Sequence, residues 1–194
     1  QPLEEPVGYD GHTTHLSVID GDGNCVSLTQ TLGTFFGSGQ TVSGVLFNNA
    51  MTNFSYRTPG PNLYDNRKQP RSSIMPTIIL KEGQPFLVAG SPGAARIIST
   101  VIQVVINVLD FGLDVSEANL APRFYGRNGE QYLHLESGIR PDVRQKLEEM
   151  GYSLNLYEGT DLFFGGAQLI WISTENGRYY GSADPRRGGK AIGY

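Results

Sequence analysis

A single cysteine, Cys25, is all the thiol chemistry this sequence offers. That count excludes an internal disulfide and a thiolate metal site. Cys25 lies in an alternating run and reads as a small buried residue; its presence does not decide the compartment. Histidine is almost as sparse. His12, His15 and His134 lack a ligand spacing such as HxxxH, so neither a metal site nor a cofactor is expected. No run of eighteen apolar residues occurs, and residues 1–9 hold nothing like the apolar core of a signal peptide. Basic runs are missing too. With 15 basic against 19 acidic residues and a formal charge of −4, neither nucleic acid nor an acidic membrane surface is a natural partner.

What is present is a globular composition. The 194 residues are 39% hydrophobic and 18% charged, which suits one domain, or a large piece of one, with a sizeable core. The chain does not begin with methionine, which fits a fragment of a longer precursor. Residues 1–12 read as an extended, polar lead. From Thr13 the pattern alternates: His15, Ser17 and Ile19 against Leu16 and Val18. Gly21-Asp22-Gly23-Asn24 is a turn signal, and Cys25 to Leu32 continues as a second strand. In an antiparallel hairpin the end of the second strand returns to the start of the first, so Thr31 and Gly33 are expected beside Thr13.

A threonine at that join has two readings. It opens a strand, as β-branched residues do. It also suits a nucleophile: if the bond before Thr13 is cut, the new α-amine, with an ordinary pKa of about 7.7–8.0, can serve its own hydroxyl as base.

Further along, residues 33–44 read as a Gly/Ser/Thr-rich loop, followed by a short apolar run, Val45-Leu46-Phe47. Pro76 to Leu80 and Pro85 to Ala89 form a second hairpin around Lys81-Glu82-Gly83-Gln84. After Gly90-Ser91-Pro92-Gly93 a helix runs to about Leu109, apolar nearly all round, which places it between layers. A short helix from Val115 to Leu120 is capped by Asp114 or Ser116. Leu133 to Leu135 reads as a strand. Arg140 to Met150 reads as a surface helix, with Pro141 near its start and Gly151 just past its end. Strands follow at Tyr152 to Tyr157, Ala167 to Ser173 and Gly177 to Ser182. Hairpins, helices and hairpins again suggest a layered α+β sandwich.

Several segments occur in a telling order. They are the threonine hairpin, Asn48-Asn49, Pro70-Arg71-Ser72-Ser73-Ile74-Met75-Pro76-Thr77 and Gly90-Ser91-Pro92-Gly93-Ala94-Ala95-Arg96-Ile97, then Ala121-Pro122-Arg123-Phe124 and Asp184-Pro185-Arg186…Gly193-Tyr194. Together they resemble the small subunit of γ-glutamyltranspeptidases from Thr13 to Tyr194. The resemblance implies an α+β, four-layer αββα sandwich of the N-terminal-nucleophile hydrolase type. It also implies a precursor that cuts itself before Thr13. Residues 1–12 would be the tail of the large subunit or an uncut pro-segment, and residues 13–194 the catalytic small subunit. The partner would be the large subunit in a heterodimer, the substrate a small-molecule amide.

By the same resemblance Thr13 is the nucleophile and Thr31 orients it. Ser72 and Ser73 bind the α-carboxylate of the acyl group, and the N–H groups of Gly93 and Ala94 form the oxyanion hole. Ala94 stands where the family usually has glycine. The substrate-binding positions depart further. Ala50 and Asn53 replace the side chains that hold the substrate's ammonium group, and Gly33 replaces an asparagine. Losing a carboxylate partner from a partly buried ammonium costs about 3–5 kcal/mol. The expected acyl group is therefore γ-glutamyl-like or glutaryl-like, with Arg71 beside the serine pair as added positive charge, and water as the usual acceptor. The alternative is a non-catalytic or unprocessed relative that retains the fold.

Overall fold

The computed structural model describes residues 12–127 and 129–194, so of the expected large-subunit tail only His12 falls among the described residues. The first two strands, β1 (Thr13–Ile19) and β2 (Cys25–Thr31), form an antiparallel hairpin. Its turn is wound around one carboxylate: Asp20 accepts the backbone N–H of Asp22 and Asn24, at 3.0 and 2.9 Å, and the Asn24 amide. Gly23 supplies the positive φ of 83°. The register runs from Ile19 opposite Cys25 to Thr13 opposite Thr31. A tight turn at one end thus fixes which residue faces Thr13 at the other. The short apolar run after it becomes a minimal hairpin, β3 (Thr41–Val42) and β4 (Val45–Leu46), turned by Ser43 and Gly44, both at positive φ.

The central sheet is four-stranded and antiparallel. It contains β5 (Thr77–Lys81) and β6 (Gln84–Gly90), and two strands from further along the chain, β10 (Gln168–Ile172) and β11 (Tyr179–Ala183). One face of it carries α1 (Ile97–Leu109) and α2 (Val115–Leu120). Leu87, Ala89 and Leu169 of the sheet and Ala167 beside it meet Val104, Val108, Val115 and Ala118 of the helices in the main apolar cluster. The Asp114 side chain accepts the N–H of Ser116 and Glu117 while Glu117 reaches back to the Asp114 N–H, so Asp114 and not Ser116 is the cap of α2. The β1–β2 hairpin packs on the other face of the sheet. Ser17 donates to the Gln168 carbonyl and Ser27 to that of Ala89, both at 2.9 Å.

A smaller sheet flanks this stack: β7 (Phe124–Gly126), β8 (Tyr132–Glu136) and β9 (Ser153–Tyr157), the last parallel to β8 after the crossover helix α3 (Pro141–Glu149). The order closes with β10 (Gln168–Ile172) and β11 (Tyr179–Ala183).

The described residues make three layers, helices on sheet on hairpin; the fourth layer that the resemblance implies is not among them. Helix α1, expected between layers, is not enclosed among the described residues: Ile97, Val101, Val104 and Val108 are buried, while Ile98, Ile102, Ile106 and Leu109 are exposed. Both observations have one physical form, an apolar surface with no described element over it. Strand β7 carries no sequence signal, because a three-residue strand is too short to show a period.

Candidate active site

The hairpin register brings two hydroxyls together at its open end. Thr13 Oγ1 donates to Thr31 Oγ1 at 3.0 Å. Thr31 Oγ1 also accepts the Gly33 N–H at 2.8 Å and lies 3.3 Å from the His12 carbonyl oxygen, to which it donates. The Leu32 N–H reaches the same oxygen at 3.3 Å, extending the hairpin ladder by one rung. The carbonyl of the bond preceding Thr13 is thus held by two donors, one of them bonded to the Thr13 hydroxyl. Gly33 is constrained as well: at φ +86° a Cβ there would stand 1.8 Å from Asn49 Oδ1.

Behind this dyad the hairpin is polar on its buried side. The His15 ring, 7% exposed, lies against Gly90, where a Cβ would come within 2.1 Å of it. Its Nδ1 meets Thr29 Oγ1 at 2.7 Å and its Nε2 meets Ser17 Oγ at 3.1 Å. The one Ser17 hydroxyl proton goes to the Gln168 carbonyl, so Ser17 accepts from His15 Nε2–H and Nδ1 accepts from Thr29. Burial pushes the His15 pKa down to about 4, so the ring is neutral near pH 7.

Strand β6 leads from Gly90 into the loop 91–94. Gly93 (φ +141°) and Ala94 (φ +51°) both depart from ordinary backbone, and for alanine the left-handed region costs about 1–2 kcal/mol. The loop is braced from beneath. Gly165, at φ +84°, lies so close that a Cβ would fall 2.7 Å from Ser91 Oγ and 2.8 Å from the Pro92 carbonyl oxygen. The Gly166 N–H donates to the buried Ser91 Oγ at 3.0 Å, and Thr100 Oγ1 donates to the Phe164 carbonyl at 2.8 Å. From the other side, Ser73 Oγ donates to the Ala94 carbonyl at 2.8 Å, whereas Ser72 Oγ accepts the Ile74 N–H in an exposed turn. Asn62 joins the segments further out: its amide donates to the Asn53 carbonyl at 2.7 Å and accepts the Arg71 N–H at 2.9 Å.

Three kinds of comparison bear on this arrangement. The sequence pattern of the family described as Gamma-glutamyltranspeptidase matches residues 3–194. The chain belongs to the gamma-glutamyltranspeptidase family. A glutathione hydrolase proenzyme of Escherichia coli is 43% identical over 186 residues, covering 90% of this chain and 31% of its own length. The chain thus spans about a third of that curated relative. Among solved structures, a Helicobacter pylori gamma-glutamyltranspeptidase mutant superimposes with a TM-score of 0.78 at 39% identity, covering 89% of this chain and 99% of its own. A cephalosporin acylase from Bacillus halodurans gives a TM-score of 0.81 at 30% identity, over 93% of this chain and 35% of its own.

Within this family frame the structure adds residues that the motifs alone did not single out. Gly165 and Gly166 underlie the 91–94 loop, and their sequence signal is a glycine pair following two phenylalanines. In the sequence Arg123 and Arg186 stand only as letters of two motifs. They form a buried ion network, with Arg123 Nη1 2.6 Å from Asp184 Oδ2, Arg186 Nη1 3.2 Å from Asp184 Oδ1, and Arg186 Nε 2.6 Å from Glu136 Oε1. Two cations face two carboxylates, so the cluster is neutral; Asp184 also accepts the Ala167 N–H at 2.9 Å, anchoring the start of β10. Among the described residues no group of three His, Cys, Asp or Glu side chains is placed to hold a metal ion.

Proposed function

We propose that this chain is the threonine-bearing part of an N-terminal-nucleophile amidohydrolase or acyltransferase, released by self-cleavage between His12 and Thr13. One observation carries the reading: the line of hydroxyls from Thr13 through Thr31 to the His12 carbonyl oxygen. As the Thr13 oxygen adds to the His12 carbonyl carbon, its proton passes to Thr31 Oγ1. The Thr31 proton passes to the carbonyl oxygen, and the Leu32 N–H steadies the charge there. Collapse of the adduct breaks the C–N bond, returns the hydroxyl proton to the departing nitrogen and leaves His12 esterified on Thr13. Water then hydrolyses the ester to a His12 carboxylate and a free Thr13 α-amine.

That amine is the base for the second reaction. It takes the Thr13 hydroxyl proton, the oxygen attacks an amide carbonyl, and the N–H groups of Gly93 and Ala94 hold the oxyanion. The amine product leaves, and water or another amine releases the acyl group from Thr13. The Ser73 bond to the Ala94 carbonyl supports a pocket in which the serine pair and the oxyanion loop are set by one another.

The partner is the rest of the precursor, assembled as a heterodimer whose added elements supply the fourth layer of an αββα sandwich. Support comes from the outer hairpin face, where Leu16, Val18, Val26 and Leu28 are 40–50% exposed. The near-complete match to a solved family chain of similar extent supports the same division. The acyl donor is a γ-glutamyl-like or glutaryl-like amide. Ala50 and Asn53 offer no carboxylate for an ammonium group while Arg71 adds an exposed cation beside Ser72, which favours the glutaryl form.

The experiment is a full-length precursor and its Thr13→Ala variant, run on a denaturing gel and assayed with γ-glutamyl and glutaryl anilides. Two bands and turnover for the parent, with one band and no turnover for the variant, are expected. Turnover by the variant overturns the nucleophile, and equal or better cleavage of the γ-glutamyl compound overturns the glutaryl preference.

A further inference from the structure

Two adjacent phenylalanines, Phe35 and Phe36, are 66% and 63% exposed at the open end of the hairpin. Phe36 also holds a left-handed φ of 57°, an outlier for a bulky side chain and a conformation that persists only where its surroundings impose it. The surroundings are built for this. Gly37 N–H donates to the Thr34 carbonyl and Gly39 N–H to that of Phe36, both at 2.9 Å. Asn49 grips Thr34 twice, accepting its N–H at 3.2 Å and donating to its hydroxyl at 2.8 Å. A Cβ on Gly37 would strike the Phe47 carbonyl oxygen at 2.2 Å. This braced turn sets the Phe35 ring edge-on to the His12 ring, with centroids 4.6 Å apart at 64°, and packs Phe36 against Phe35 at 4.4 Å.

His12 is the residue whose carbonyl Thr31 and Leu32 hold. We propose that Phe35, backed by Phe36, is a positioning residue for self-cleavage: it clamps the His12 side chain so that the carbonyl of the His12–Thr13 bond stays against Thr31. The inference rests on the self-cleavage reading above. It makes the junction selective for a flat side chain at position 12. It also gives an exposed aromatic pair, with Phe36 held in a strained backbone, a task that ends once His12 leaves with the departing segment, so the clamp acts once per molecule. The chemistry is that of the first reaction, with water the only co-reactant: one peptide bond and one water become a His12 carboxylate and a Thr13 amine.

The test is a time course of self-cleavage in newly translated full-length precursor, comparing the parent, Phe35→Ala, His12→Ala, the double variant and Phe35→Tyr. An edge-to-face ring contact predicts that either alanine variant slows cleavage about three- to tenfold. The double variant is expected to be no slower than a single one, because the pair is one interaction. Phe35→Tyr restores the rate, and fully processed Phe35→Ala enzyme turns over substrate within about twofold of the parent per free Thr13. His12→Ala leaves the braced turn untouched and so reads the clamp even if Phe35→Ala disturbs folding. Parental cleavage rates in His12→Ala, rate losses that multiply in the double variant, or a Phe35→Tyr precursor as slow as Phe35→Ala each overturn the clamp. A parent precursor that stays intact overturns the self-cleavage reading and the clamp with it, whereas normal parental cutting with indifferent variants removes the clamp alone.

Discussion

The two faces of the β1–β2 hairpin reverse the usual order of a half-buried sheet. The face against the central sheet carries His15, Ser17, Ser27 and Thr29, and their side chains are joined by hydrogen bonds to one another or to the carbonyls of Ala89 and Gln168. The opposite face carries Leu16, Val18, Val26 and Leu28 and is exposed. An antiparallel ribbon normally puts its apolar residues inward and its polar residues toward water. The reversal teaches that the inner contact is directional, fixing Thr13 over the sheet through specific bonds. The outer face, apolar and exposed, offers only nonspecific adhesion, and it is the surface to which the proposed partner layer is assigned.

The largest effect is expected on the apolar side. In the full-length precursor, Leu28→Asp is expected to cost about 3 kcal/mol or more if a partner layer covers that face, since a carboxylate would be buried without a mate. An open face would give less than about 0.5 kcal/mol, as surface substitutions do. Denaturant unfolding of the purified protein reads the difference.

The polar side predicts a pH response. His15 has a folded pKa of about 4, below its ordinary value, so the unfolded chain binds the proton more readily. Stability is then full above about pH 6.5, falls as pH drops from there to about 4, and levels off below, with roughly 2–3 kcal/mol in play. His15→Gln, followed by thermal unfolding across that window, should flatten this part of the profile.

Two hydroxyls on the same polar face should separate by role. Ser17→Ala strands the Gln168 carbonyl and His15 Nε2–H, and is expected to lower stability by about 1–2 kcal/mol with little change in cleavage rate. Thr31→Ala reverses that pattern. It should cost only about 0.5–1.5 kcal/mol in stability, while self-cleavage slows far more than folding suffers. Urea melts beside gel time courses decide between the two patterns.

Much of this was legible in the sequence because it is local. The hairpin turn, the Asp114 cap and Pro141 at the start of α3 are each specified within a few residues, and the Thr13–Thr31 pairing follows from the turn by counting back along two strands. Which hairpin face is buried was not legible. Alternation gives a period but no sign, and the usual sign is wrong here because the inner contact is made by hydrogen bonds to the Ala89 and Gln168 carbonyls. The brace under the 91–94 loop was hidden for a different reason. Gly165 lies more than seventy residues from Ser91 in sequence, and only the antiparallel pairing of β6 with β10 brings them together. Ser73 reads as a turn residue until the Ala94 carbonyl is found beside it.

Scission of the His12–Thr13 bond is the event on which nucleophile, base and clamp all depend, and intact-mass analysis of the purified full-length protein reads it directly. The expected result is a fragment whose first residue is Thr13, appearing in step with amidase activity and missing from the Thr13→Ala variant. Amide turnover by a protein in which His12 and Thr13 remain joined would contradict it.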